Sequence, residues 1–126
     1  MVIMSDSVTT IDELKRLVES FVAERDWGKF HSPKNLAMSI SIEASELMEI
    51  FQWLDLDEAK DILKSNTKER AEVLDEISDI VIYALAFCNR NKIDLSDSIK
   101  QKMKKNIEKY PVDKYKGKLW STLSFK

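Results

Sequence analysis

Two glycines and two prolines in 126 residues leave this chain little material for tight turns. A β-rich domain needs many sharp reversals, and glycine and proline are the residues that make them at low conformational cost. Long helices need few. Charged residues account for 33% of the chain, enough to coat the outer faces of helices around one apolar core. The length suits one domain, not two. The expected class is therefore all-α, a four-helix bundle-like protomer.

Periodicity locates the helices. Thr10 and Glu13 have capping-box spacing, and Ile11, Leu14, Leu17, Val18, Phe21 and Val22 recur at helical intervals, so a first helix should start there and fade near Trp27-Gly28. Ser32-Pro33 reads as the N-cap and first residue of a second helix reaching about Trp53. The polar stretch Asp55 to Ser65 has room for a short helix of its own. Asn66 and Glu69 form another capping-box pair, opening a third helix to about Asn91, and a fourth should run from about Ser96 to Tyr110, where Pro111 stops it.

The formal charge of −2 gives no bulk electrostatic reason to bind nucleic acid polymers or acidic membranes. No apolar run approaches the ~20 residues of a membrane span, and Met1 to Thr10 lacks the basic start and apolar core of a signal peptide. The lone Cys88 cannot staple its own chain and, set among apolar residues, reads as a buried small hydrophobe. Together these favour a reducing, cytoplasmic setting.

Four acids on two helices carry the chemistry. At about 100° per residue, Leu36, Ile40, Leu47 and Ile50 all fall within roughly 60° of Glu43, with Glu46 about 60° to the other side. Glu43 therefore points into the apolar face, where an unpaired carboxylate is costly. The third helix repeats the pattern: Val73, Ile80, Tyr83 and Phe87 surround Glu76, and Asp79 follows one turn on. Glu49, Glu72 and Asp75 read instead as solvated. Two i, i+3 pairs on packed helices would gather four carboxylates that must be protonated, paired or bridged by cations. Hard oxygen donors without sulfur or imidazole favour Mg²⁺ or Mn²⁺. A di-iron site would want Glu-x-x-His pairs, and the single histidine, His31, stands outside both acid pairs.

Trp27, His31 and Trp53 fall near the ends of the first two helices, where rings can sandwich a nucleobase or simply fill a core or interface. Lys102, Lys104, Lys105 and Lys109 line the fourth helix, as a solvated face or as counter-charge to phosphates.

The ordered set resembles a known family. Glu43-x-x-Glu46 with Glu49, then Phe51-Gln52-Trp53, then Glu76-x-x-Asp79 with Tyr83 is similar to the E-x-x-E…E-x-x-D pattern of the MazG-like, all-α nucleoside triphosphate pyrophosphatases. Phe21 through Trp27, Phe30-His31 and Pro33-Lys34-Asn35-Leu36 ahead of it, and Lys102-Met103, Asn106 and Lys109-Tyr110-Pro111 after it, are similar to the short dCTP pyrophosphatase branch. The likeness makes residues 11–113 the pyrophosphohydrolase domain, between an extension at 1–10 and a tail at 114–126. It implies Mg²⁺ on Glu43, Glu46, Glu76 and Asp79, with Glu43 and Glu46 in catalysis. Trp27, His31, Trp53 and Tyr83 would line the base and sugar pocket, and Asn35, Asn106, Lys109 and Tyr110 would lie near sugar or phosphates. The family assembles as dimers or as tetramers made of two dimers, with clefts completed across subunits. The implied reaction is attack of water at the α-phosphorus of a (d)NTP, releasing pyrophosphate, with dCTP or a modified pyrimidine nucleotide as the expected substrate. A relative acting on dUTP or another noncanonical triphosphate, and a non-catalytic nucleotide-binding oligomer, are the alternatives.

Overall fold

Side-chain caps decide where the helices begin. In α1 (Ile11–Glu24) the Thr10 hydroxyl accepts the Glu13 amide at 3.1 Å while the Glu13 carboxylate accepts the Thr10 amide at 3.2 Å. In α2 (Pro33–Phe51) the Ser32 hydroxyl accepts the Asn35 amide at 3.1 Å, with Pro33 opening the first turn. Both starts are the expected ones. The polar connection does hold a short helix, α3 (Leu56–Asp61), closed by a reciprocal Asp55–Glu58 capping box. The backbone bond from Glu58 holds the Asp55 carboxyl below its ordinary range.

Three boundaries differ from expectation. The third long helix, α4 (Lys68–Arg90), is capped by Thr67 instead of Asn66. The Thr67 hydroxyl accepts the Arg70 amide at 3.0 Å and also donates to the Ile62 carbonyl at 2.8 Å. That double use ties the cap to the preceding segment. The next, α5 (Leu95–Lys109), starts ahead of Ser96 because the Asp94 carboxylate accepts the Asp97 amide at 3.0 Å. Finally, α1 stops at Glu24, because Asp26 turns into the left-handed region (φ 52) and pairs with Lys29 at 3.0 Å. A 3-10 turn, Gly28–Phe30, follows, and a one-turn helix that periodicity did not reveal, α6 (Val112–Tyr115), comes after Pro111.

This computed structural model describes residues 4–118. Among them every regular element is helical, and no helix is long and apolar enough to cross a membrane. The apolar tail residues Leu119, Trp120, Leu123 and Phe125 lie outside the described residues. The chain divides into two compact units, Met1–Lys92 and Ile93–Lys126. In the first, α1 and α2 both pack on α4. Their shared core is Val18 and Val22 of α1, Leu36 of α2, and Val73, Leu85, Ala86 and the free Cys88 of α4. Leu36 is 1% exposed, so its burial stabilises the α2–α4 contact by roughly 2 kcal/mol. Asn89 adds a polar tie, donating its side-chain amide to the Lys15 carbonyl at 2.9 Å. The second unit holds α5 and α6, where Tyr110 meets Tyr115 edge to face at 5.2 Å.

Candidate active site

The apolar stripe that packs α2 onto α4 also carries the acids. On α2, Leu36 is buried and Ile40, Glu43, Leu47 and Ile50 are half-buried, all in one helical line; on α4 the same line runs through Val73, Glu76, Ile80 and Tyr83. Packing the stripes together brings Glu43 and Glu76 face to face. Carboxylate oxygens of Glu43, Glu46 and Glu76 all lie within 4.8 Å of one another, with Glu46 the exposed member. Asp79, one turn beyond Glu76, stands outside that tight trio but close enough for its charge to act on Glu43 and Glu76. Glu49, Glu72 and Asp75 are exposed, as their positions on the helices led us to expect.

The electrostatics follow from the crowding. Sharing with the Glu76 carboxyl, burial, and the nearby Glu46 push the Glu43 carboxyl up to about 7. For Glu76 the pairing with Glu43 pulls down, but burial and the charges of Glu46 and Asp79 outweigh it, and the net direction is upward. Burial, then Glu43, Asp79 and Glu46, raise the Tyr83 hydroxyl, so it stays protonated and available as a donor. One oxygen each of Glu43 and Glu76, Oε2 in both, is buried without a hydrogen-bond partner. Two acceptors facing one another need a proton or a cation between them. Oxygens on opposite sides of a Mg²⁺ ion stand about 4.2 Å apart, twice the usual ligand distance. Neighbouring ligand oxygens stand closer still, about 2.9 Å, so the side chains would draw in around a small hard cation, and by donor chemistry Glu43, Glu46 and Glu76 are the residues that could hold it.

A groove of about 740 Å³ opens between α1 and α4 beside this cluster. Leu14, Leu17 and Phe21 form one wall, Ile77, Val81 and Ile82 the other. Asp79 and Tyr83 line it too, so these two residues face the groove while Asp79 acts by its charge on Glu43 and the acids act on the Tyr83 hydroxyl. At one end the turn after α1 contributes Trp27 and His31. The Trp27 ring packs edge-on against Phe21 (5.6 Å), over which Arg25 also lies. His31 Nδ1 is buried without a partner, a polar atom left for whatever enters. The arrangement can bind a flat ring in an apolar slot and a metal-complexed anion next to it.

The structure thus gathers Trp27, His31, Asp79 and Tyr83 on one groove and Glu43, Glu46 and Glu76 in one cluster. Trp53 is 86% exposed in the turn after α2 and lies off the groove. Asn35 is turned to local use, its side-chain amide donating to the Phe30 carbonyl at 3.0 Å. Asn106, Lys109 and Tyr110 belong to the second unit, where Asn106 reaches Met103 Sδ at 3.9 Å and Lys109 lies over the Tyr110 ring. Sequence reasoning missed the apolar groove walls. One sign of them was available: from Ile80 to Cys88, α4 is apolar on every side, more than one packed face requires.

An all-helical fold with two acid pairs converging between α2 and α4 defines a class, and residues 38–121 match the model of the MazG-like family. The chain belongs to that family. It is 40% identical to dCTP pyrophosphatase 1 of Bos taurus over 111 residues, 88% of this chain and 65% of the bovine protein. With dCTP pyrophosphatase 1 of Homo sapiens the identity is 38% over 102 residues, 81% of this chain and 59% of the human protein. The chain therefore spans less than two thirds of the length of these curated relatives. Among solved structures it is similar to a pyrophosphatase from Archaeoglobus fulgidus, with TM-score 0.74 and 40% identity, covering 88% of this chain and 99% of that one.

Proposed function

We propose that this chain is a Mg²⁺-dependent nucleoside triphosphate pyrophosphohydrolase that converts a (d)NTP, preferentially dCTP or a modified pyrimidine deoxynucleotide, to the monophosphate and pyrophosphate. The observation that carries the reading is the Glu43–Glu46–Glu76 trio with its two unpartnered buried oxygens, set beside a ring-sized apolar groove. The names of the bovine and human relatives support the choice of dCTP.

In this reading Glu43, Glu46, Glu76 and Asp79 hold the metal, which when bound neutralises polyphosphate charge and polarises the attacked phosphorus. Glu46, the exposed acid, takes the proton of the attacking water at a carboxylate oxygen. Trp27 and the apolar walls grip the base, and Tyr83 and His31 offer hydrogen bonds to its edge or to the sugar. Asn35, Trp53, Asn106, Lys109 and Tyr110 join the substrate side of the proposal on family likeness alone. Outside the groove walls, Met38, Ile42 and Met48 of α2 and Leu74 of α4 are about half exposed, apolar area whose cover by another copy supports assembly as a homodimer or homotetramer. The substrate class suits removal of unwanted triphosphates in the cytoplasm. No nucleic acid polymer or membrane enters the scheme.

A panel of canonical and modified nucleoside triphosphates with Mg²⁺ or Mn²⁺, scored by pyrophosphate release, tests the reading. Pyrophosphate from pyrimidine deoxynucleotides, abolished by chelation, is the expected result. Release of orthophosphate only, or nucleotide binding without turnover, would replace it with another hydrolase or with a non-catalytic binder. A preference for dUTP would move the substrate and leave the chemistry.

A further inference from the structure

Trp27 and His31 reach the groove from a short turn, whereas Asp79 and Tyr83 face it from a helix 23 residues long. What holds the turn at its distance from that helix decides how wide the ring slot is. Most bonds of the turn are local: Trp27 N–H to the Val22 carbonyl at 3.1 Å, His31 N–H to the Gly28 carbonyl at 3.1 Å, and the Asn35 amide to the Phe30 carbonyl at 3.0 Å. The first ties the turn to α1, and none of the three runs directly to α4.

Gly28 supplies the missing constraint. It does not have a positive φ, so its backbone conformation does not call for glycine. The space above it does. A Cβ there would sit 2.9 Å from Arg90 Nη1, 3.4 Å from Cζ and 3.7 Å from Nη2, so the guanidinium fills the place of the absent side chain. Arg90 is exposed, ends α4, and has no ion pair among the described residues. Its seat on Gly28 is thus a packing contact of the flat guanidinium, carried on a flexible stem, against backbone, not the by-product of a salt bridge. The preceding residue, Asn89, holds the Lys15 carbonyl at 2.9 Å. Adjacent residues at the end of α4 therefore grip both α1 and the turn that follows it.

We propose that Arg90 is a positioning residue: braced on Gly28, it sets the stand-off of Trp27 and His31 from Asp79 and Tyr83, and with it the grip on the nucleobase. The proposal rests on the reading of the groove as the base pocket. Arg90 touches neither the acids nor the reacting atoms, so its loss acts on binding and leaves the chemical step alone.

The test compares Arg90→Ala, Gly28→Ala, the double variant and Trp27→Ala. KM and kcat for dCTP are measured, together with the affinity for a non-hydrolysable dCTP analogue and the melting temperature. Arg90→Ala should raise KM and weaken the analogue about tenfold, with kcat within about twofold of the parent. Gly28→Ala should act in the same direction by displacing the guanidinium. In the Arg90→Ala background the new methyl has room, so the second substitution should add little. Unchanged KM and analogue affinity in Arg90→Ala, alongside a higher KM and weaker analogue binding in Trp27→Ala, would overturn the brace and leave the base pocket standing. No change in Trp27→Ala would remove the pocket reading and the brace with it. A fall in kcat and melting temperature at constant KM would reduce Arg90 to a structural role and overturn the proposal as well.

Discussion

The acid cluster and the ring-bearing turn are held in place by different means. Glu43 and Glu76 ride on two long helices whose apolar stripes lock together around Leu36 and Val73. Their positions are set by the same burial that folds the unit. Trp27 and His31 ride on a turn shaped by local hydrogen bonds and one long-range seat for Arg90. Carboxylates that repel one another are thus placed by packed helices, and the rings by a turn with few long-range ties.

The sharpest way to break this contrast is to remove its packing. Leu36→Ala should cost about 3 kcal/mol, from lost transfer energy and the cavity left behind, read as the urea midpoint in the presence of chelator. Trp27→Ala, at 44% exposure, should cost far less stability. Equal losses would erase the distinction. Next in size, Glu46→Gln or Asp79→Asn should remove at least ~2 kcal/mol of transition-state stabilisation, about thirtyfold in kcat/KM, with Mg²⁺ saturating. Parent-like turnover in both would detach the cluster from catalysis. For the rings, Trp27→Ala should raise KM about tenfold, as expected of lost base stacking, and move kcat less. A loss confined to kcat would put Trp27 on the side of the acids.

The smallest effect concerns pH. Glu43 titrates near 7 in the folded chain against an ordinary 4.5, so between these values the folded state holds a proton that the unfolded state has released. Its contribution without metal is full below pH 4.5 and is lost as pH rises through 7. Melting in chelator should drop across that window, and added Mg²⁺ should raise melting more at pH 8 than at pH 5, because the cation replaces the proton. A Mg²⁺ increment that does not vary with pH would show that Glu43 is not where cation and proton compete.

Much of the acid site was legible because helical phase is legible. Counting 100° steps placed Glu43 and Glu76 inside apolar stripes and Glu49, Glu72 and Asp75 outside them, and the structure distributes their burial in that way. Capping chemistry located the starts of α1 and α2 to the residue, since Glu13 at capping-box spacing singles out Thr10 from the adjacent Thr9 and Pro33 marks Ser32. It slipped at α4 and α5, where Asn66 adjoins Thr67 and Asp94 precedes Ser96, because sequence does not rank neighbouring caps: Thr67 has a second bond to the Ile62 carbonyl, and the Asp94 carboxylate takes the Asp97 amide. The groove was the least legible part. Whether Ile77, Val81 and Ile82 bury against α1, a ligand or another copy depends on a gap between helices, and a gap leaves no periodicity. The left-handed Asp26 that ends α1 early is likewise a local choice among turns that few residue types announce.

One rod, α4, bears both Glu76 and Tyr83, two turns apart and so separated by about 10.5 Å along the axis. On the proposed function, it serves as a ruler between the charge-handling and ring-handling ends of the nucleotide. Inserting a single residue between them would lengthen it by only about 1.5 Å but swing one mark about 100° away from the other. Lineages of this chain should therefore tolerate exchanged side chains on the outer face of α4 far more readily than any change in its residue count between the two marks.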